Sequence, residues 1–187
     1  MIRRIALFSL CLLLAVVSPH GSAAADARLA ELRISNRNDD FVVYLNVADA
    51  FTDDMRSAIL SGVPTTFSFF IILSRTRPFW PDRTVADLTF THTVKYNTLR
   101  KEFVIRRSWE NNGTQVVKSI DEARRLMTAI EDVPIIPLGA LERGKRYQLR
   151  AKAELGRITL PFYLHYVLFF VSLWDFETDW YTIDFIY

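Results

Sequence analysis

Apolar and polar residues alternate along most of this chain with a period of two, the signature of strands that bury one face. Leu32 and Ile34 alternate with Arg33 and Ser35, and Phe41, Val43, Leu45 and Val47 alternate with Val42, Tyr44 and Asn46. The run from Phe67 to Leu73 is rich in aromatic and β-branched residues and predicts a strand buried on both faces. In the next strand Ala86, Leu88, Phe90, His92, Val94 and Tyr96 share one face, with Asp87, Thr89, Thr91, Thr93 and Lys95 on the other. Asn97 to Arg100 reads as a turn, after which Phe103, Ile105 and Trp109 resume the pattern as a hairpin partner. A short strand follows at Thr114 to Lys118, then a long one in which Tyr147, Leu149, Ala151, Ala153 and Leu155 face inward. A last strand places Tyr181, Ile183, Phe185 and Tyr187 on one face. About eight strands predict a mainly-β fold, an antiparallel sandwich of immunoglobulin-like or related type.

Three peripheral helices are expected between the strands. Thr52 caps the first, Asp53 to Leu60, whose acidic first turn suits the positive end of the helix dipole, and Gly62 closes it. Ser119-Ile120-Asp121-Glu122 is a capping box that opens a helix running to about Glu131, with Ala123, Leu126, Met127 and Ile130 as its buried stripe and Pro134 and Pro137 beyond. A third begins at Pro161.

The first 25 residues follow another logic. Arg3 and Arg4 precede an apolar run from Ile5 to Val17, then a polar break and the small residues Ala23, Ala24 and Ala25. This is the layout of a secretory signal peptide cleaved after Ala25, so residues 1–25 are expected to be removed and residues 26–187 to form one domain exported to the periplasm. Losing Arg3 and Arg4 leaves basic residues equal in number to the 21 acids. A balanced chain has no long-range field to gather nucleic acid or anionic lipid, and no nucleic-acid partner is expected. The single cysteine, Cys11, leaves with the signal, so burial must supply the stability that disulfides supply in many exported domains. The 14 Phe, 7 Tyr and 4 Trp provide the area for it.

The chemistry-bearing residues are few. His92 sits on the apolar face of a strand and reads as a hydrogen-bonded core histidine; His165 lies in the late apolar run with Ser172. Asp39-Asp40 reads as a turn and Asp53-Asp54 as a helix start, and neither has the spacing of a calcium loop. No phosphate loop and no nucleophile elbow is present. No catalytic residue, no metal ligand and no cofactor is therefore assigned, and an enzyme with carboxylate chemistry is the weakest reading.

Two surface features remain. Pro78-Phe79-Trp80-Pro81 links two strands and is bordered by Arg75, Arg77 and Arg83. Its two aromatics either fold back to plug one end of the sandwich, the favoured reading, or stand out as a partner contact made by Phe79, Trp80, Arg77 and Arg83. The second feature is the uncharged run from Ile158 to Trp174. Pro161, His165 and Ser172 weaken it as a membrane span, and its flanks oppose the positive-inside rule. It is expected to form a helix packed on the sandwich, or else a lipid-facing helix touching the membrane through Phe162, Tyr166, Phe169 and Phe170.

The segment Arg146-Tyr147-Gln148-Leu149-Arg150-Ala151-Lys152-Ala153-Glu154-Leu155, followed by Leu160-Pro161, Trp174 and Thr178-Asp179-Trp180, resembles a bacterial family catalogued as domain of unknown function 4390. The early Val42-Val43-Tyr44 strand and the helix after it are similar too. The resemblance implies an exported proteobacterial protein with no assigned activity, whose gene neighbourhood often includes a membrane-bound sensor kinase. It supplies no catalytic residues. The expected role is a non-catalytic binding or accessory module for another envelope protein, with that kinase as one candidate partner. A lipid-facing envelope protein using the helix at 162–174 is the alternative.

Overall fold

The computed structural model describes residues 27–110, 113–156 and 177–187. Within them the chain is mainly β, arranged as two antiparallel sheets. The strands are β1 (Arg28–Arg37), β2 (Asp40–Ala48), β3 (Thr65–Arg75), β4 (Arg83–Asn97), β5 (Glu102–Arg107), β6 (Thr114–Val117), β7 (Ala129–Pro137), β8 (Arg146–Leu155) and β9 (Tyr181–Ile186). Helix α1 (Asp53–Leu60) lies between β2 and β3, and α2 (Ile120–Thr128) between β6 and β7. One sheet has the order β1-β2-β7 and the other β6-β5-β4-β3-β8-β9. Every pairing is antiparallel.

The core lies between the sheets. β3 contributes Phe67, Phe69, Ile71 and Leu73, all fully buried, and β8 sets Leu149, Ala151 and Ala153 beside them. The small alanines leave room for the phenylalanine and isoleucine directly across the ladder, Phe69 opposite Ala153 and Ile71 opposite Ala151. The smaller sheet closes over this layer with Leu32, Phe41, Val43, Leu45 and Val47. Helix α1 adds Met55 and Ile59, and α2 adds Ala123 and Met127. Both helices start as their caps dictate: the Thr52 hydroxyl accepts from the Met55 amide at 3.2 Å, and that of Ser119 from the Asp121 amide at 3.2 Å.

Three expectations need correction. The described residues hold nine strands, not eight, because the chain from Ala129 to Pro137 is β7 and not the end of a helix. Helix α2 stops at Thr128, where Ala129 turns extended at a φ of −111° and ψ of 135° to begin β7. Ile130 fits a buried stripe under either reading, which is why periodicity alone misplaces it. β7 tolerates Pro134 and Pro137 because it is an edge strand that bonds only to β2. One extra residue in β7 makes a bulge, with Asp132 at a φ of 58°. The Asp132 carboxylate accepts from the Tyr44 hydroxyl at 2.9 Å and pairs with Arg37, which pins the bulge.

The second correction concerns β3, which is buried on one face and only half-buried on the other at Ser68, Phe70 and Ile72. There the Lys152 ammonium lies 5.2 Å from the centre of the Phe70 ring and 5.3 Å from that of Trp180, so a long cationic side chain from β8 covers apolar surface that a second layer would otherwise cover. The third is that β5 ends at Arg107, so Trp109 sits in the turn beyond it. Its ring still packs against Phe90 and His92. Two α-helices occur among the described residues; the third expected helix, from Pro161, lies outside them, as does the signal peptide.

Truncating the centre of this core should cost the most. Phe69→Ala is expected to destabilise the domain by about 3–5 kcal/mol, measured by urea denaturation with an unchanged slope.

Candidate functional site

The turn between β3 and β4 closes on itself. Pro78 follows Arg77, and Phe79 takes a φ of 65°, the proline-then-positive-φ pattern of a type II turn in which glycine usually fills the second place. Holding a phenylalanine there costs about 1–2 kcal/mol. The Arg77 side chain donates from Nε and Nη2 to the Pro81 carbonyl at 3.1 and 2.8 Å, and the Arg77 amide donates to Asp82 Oδ1 at 3.3 Å. These bonds brace the loop with its rings turned toward solvent. Phe79 is fully exposed (104 %) and Trp80 is 73 % exposed. The favoured expectation that they fold back to plug the sandwich is thus overturned: the end of the core below them is already closed by Tyr147, Phe185 and Phe41, whose rings stack in series.

The four predicted contact residues come together, with different roles. Arg77 braces the loop from within. Arg83 is exposed and makes no ion pair among the described residues. Strand pairing adds a group that the sequence does not announce. Thr76 donates its amide to the Arg146 carbonyl at 3.0 Å, and Arg75 stands opposite both Arg83 and Tyr147. The turn carrying Arg143, Lys145 and Arg146, all exposed, is thereby set beside the aromatic tip. None of the three has an ion pair among the described residues, while Glu142 in the same turn is committed to Arg75. Two naked rings therefore rise from a basic base.

Among the other described residues no second candidate site converges. His92 is completely buried, with Nδ1 bonded to the Met127 carbonyl at 3.0 Å and Nε2 without a partner. It is the core histidine expected from its place on the strand. Burial, reinforced by the charge of Arg107, lowers its pKa to about 3, so the ring is neutral. A groove of about 820 Å³ runs between β2, β7 and α2, but its four arginines and four carboxylates are spread along it without converging. No cluster of histidine, cysteine or carboxylate ligands occurs among the described residues. Asp39 lies in the β1–β2 turn and Asp53 and Asp54 open α1, as expected. The candidate membrane residues Phe162, Tyr166, Phe169 and Phe170, with His165, lie outside the described residues. Among the described residues no helix is long and apolar enough to cross a membrane.

A family model described as Domain of unknown function (DUF4390) matches residues 24–184. The chain belongs to that family. No curated protein and no solved structure matches it. The role of this DUF4390 chain must therefore be read from its own geometry, and the exposed tip is the feature that burial and stability do not explain.

Two outcomes test this account. Because Phe79 is fully exposed and Trp80 mostly so, Phe79→Ser with Trp80→Ser should leave stability within about 0.5 kcal/mol of the parent in thermal denaturation. His92 makes stability depend on pH: between about 3 and 6.5 the unfolded chain takes up a proton that the folded chain refuses. Stability is complete above pH 6.5 and falls as pH drops through that window, by ~1.4 kcal/mol per pH unit from this group. Urea midpoints between pH 6 and pH 4 should approach that slope, and His92→Phe should flatten it.

Proposed function

We propose that this chain is an exported, non-catalytic accessory module that binds another envelope protein through the Pro78–Pro81 tip. The observation that carries the reading is the pair Phe79 and Trp80, held out in solvent on a turn that Arg77 braces and that a phenylalanine at positive φ strains. Strain kept at an exposed position is a mark of function. A tip already in its binding conformation also loses little entropy when it docks. Large aromatics with arginine beside them are the residue types that dominate protein interfaces. Arg83, Arg143, Lys145 and Arg146 around the base fit a partner whose apolar pocket is rimmed with carboxylates. The sensing part of a membrane kinase is one candidate for that partner, on the family resemblance.

The two sheets form a sandwich of immunoglobulin-like or related type, in which the chain crosses from one sheet to the other through α1, through α2 and between β7 and β8. Residues 1–25 act as the signal peptide and the periplasm is the working compartment.

A photo-crosslinking residue at position 79, introduced in the native host, tests the binding reading. One discrete protein adduct is expected, weakened when Arg83→Glu and Arg146→Glu are combined with it. A crosslinker at Thr89, on the open face of β4, serves as the control. Equal adducts from both positions, or none from position 79, would refute the proposal.

A further inference from the structure

The opposite end of the domain carries a second braced and naked apolar tip. In the turn between β4 and β5 the Asn97 side-chain oxygen accepts from the amides of Leu99 and Arg100, both at 3.1 Å, and Lys101 takes a φ of 54°. This holds Leu99 out at 94 % exposure. Gly62, at the end of α1, lies against the backbone of Tyr96 and the side chain of Thr98, which brings the exposed Leu60 to the same end. Around these two leucines stand Arg56, Lys95, Lys101 and Lys118, all exposed and none in an ion pair among the described residues. Arg100 adds a fifth cation, loosely paired at 3.6 Å with Glu102.

We propose that this end rests on an anionic bilayer, with Leu99 dipping into the headgroup layer and the surrounding cations on lipid phosphates. The proposal does not depend on the partner reading and uses a different surface. Exposed leucines ringed by long cationic side chains suit a headgroup layer, where stems lie along apolar surface and charges reach phosphate. They offer no aromatic anchor to a folded partner. Chain tethering gives an independent argument. Gly156 donates to the Thr66 carbonyl at 2.7 Å, and Glu154 bridges to Glu177, so the chain leaves β8 and returns to β9 at this same end. The sequence between those points is uncharged from Ile158 to Trp174. Apolar sequence and lipid-seeking cations are thus attached to one end, while β4, fifteen residues long, sets the Phe79–Trp80 tip ~50 Å away at the other. A domain standing on the membrane would hold that tip outward.

Cys11 is the only cysteine, so a single environment-sensitive label can be placed at will. With Cys11→Ser, the chain as its host processes it would carry an NBD label on Leu99→Cys or, separately, on Trp80→Cys. The probes are vesicles of phosphatidylcholine with about one-third phosphatidylglycerol, and vesicles of phosphatidylcholine alone. The label at 99 should brighten and shift to the blue with the anionic vesicles only, and lose the response in high salt; the label at 80 should stay unchanged. Lys101→Glu with Lys118→Glu should weaken vesicle binding at least ~10-fold, with the circular dichroism spectrum unchanged. A silent label at 99, an equal response at 80, or undiminished binding by the charge-reversed chain would overturn the proposal. So would a response without vesicles that grows with protein concentration, since a second copy would then be covering the patch.

Discussion

Everything else in the molecule hangs on the pairing of β3 with its two neighbours. β3 is bonded to β4 on one side and to β8 on the other, which joins residues 65–97 to residues 146–155 across the middle of the larger sheet. Its inward row is the centre of the core, and a slip of one residue against β8 would turn Leu149, Ala151 and Ala153 outward and bring Arg150 and Lys152 in. Burying two unpaired cations is far costlier than any gain such a register could offer, so the alternation itself locks the pairing. That lock also positions the surface, because it puts Arg146 beside Thr76 and so a basic turn beside the aromatic tip.

The edges show how the fold restrains its own sheets from pairing elsewhere. β7 carries two prolines and a bulge fixed by Tyr44 and Arg37. β6 is only four residues long. β1 bears Arg28, Glu31, Arg33 and Arg37 along an exposed strand with its own register shift. These are the usual means of blunting a strand edge. Against that restraint the fully bared Phe79 and Leu99 stand apart. Each occupies the tip of a turn braced by side-chain hydrogen bonds to its backbone, so the exposure is built into the loop and is not left over from an incomplete core.

Most of the secondary structure could be read from the residues. Period-two alternation located eight of the nine strands, and the caps at Thr52 and Ser119 located both described helices. β7 escaped because Ile130 satisfies a helical stripe and a strand face equally well, and because prolines read as terminators when the strand they occupy is at an edge. The candidate loop was legible as a group of residue types, since two prolines, two aromatics and two arginines in a short link have few structural uses. Its outward pose was not legible. A phenylalanine in a position that favours glycine gives no sign of itself in sequence, and whether a loop folds back depends on whether the end of the core is already closed.

Sequence by itself thus determined the mainly-β class, the helix starts and the core place of His92, because each depends on local periodicity or on residue type. Tertiary structure decided which strands are neighbours, that β2 takes β7 as its partner, that Tyr147, Phe185 and Phe41 seal one end of the core, and that apolar tips stand out at opposite ends of β4. Those outcomes depend on contacts between residues far apart in the chain. Alternation says which face of a strand is buried, but only the competition among all the apolar faces for one shared interior says against what.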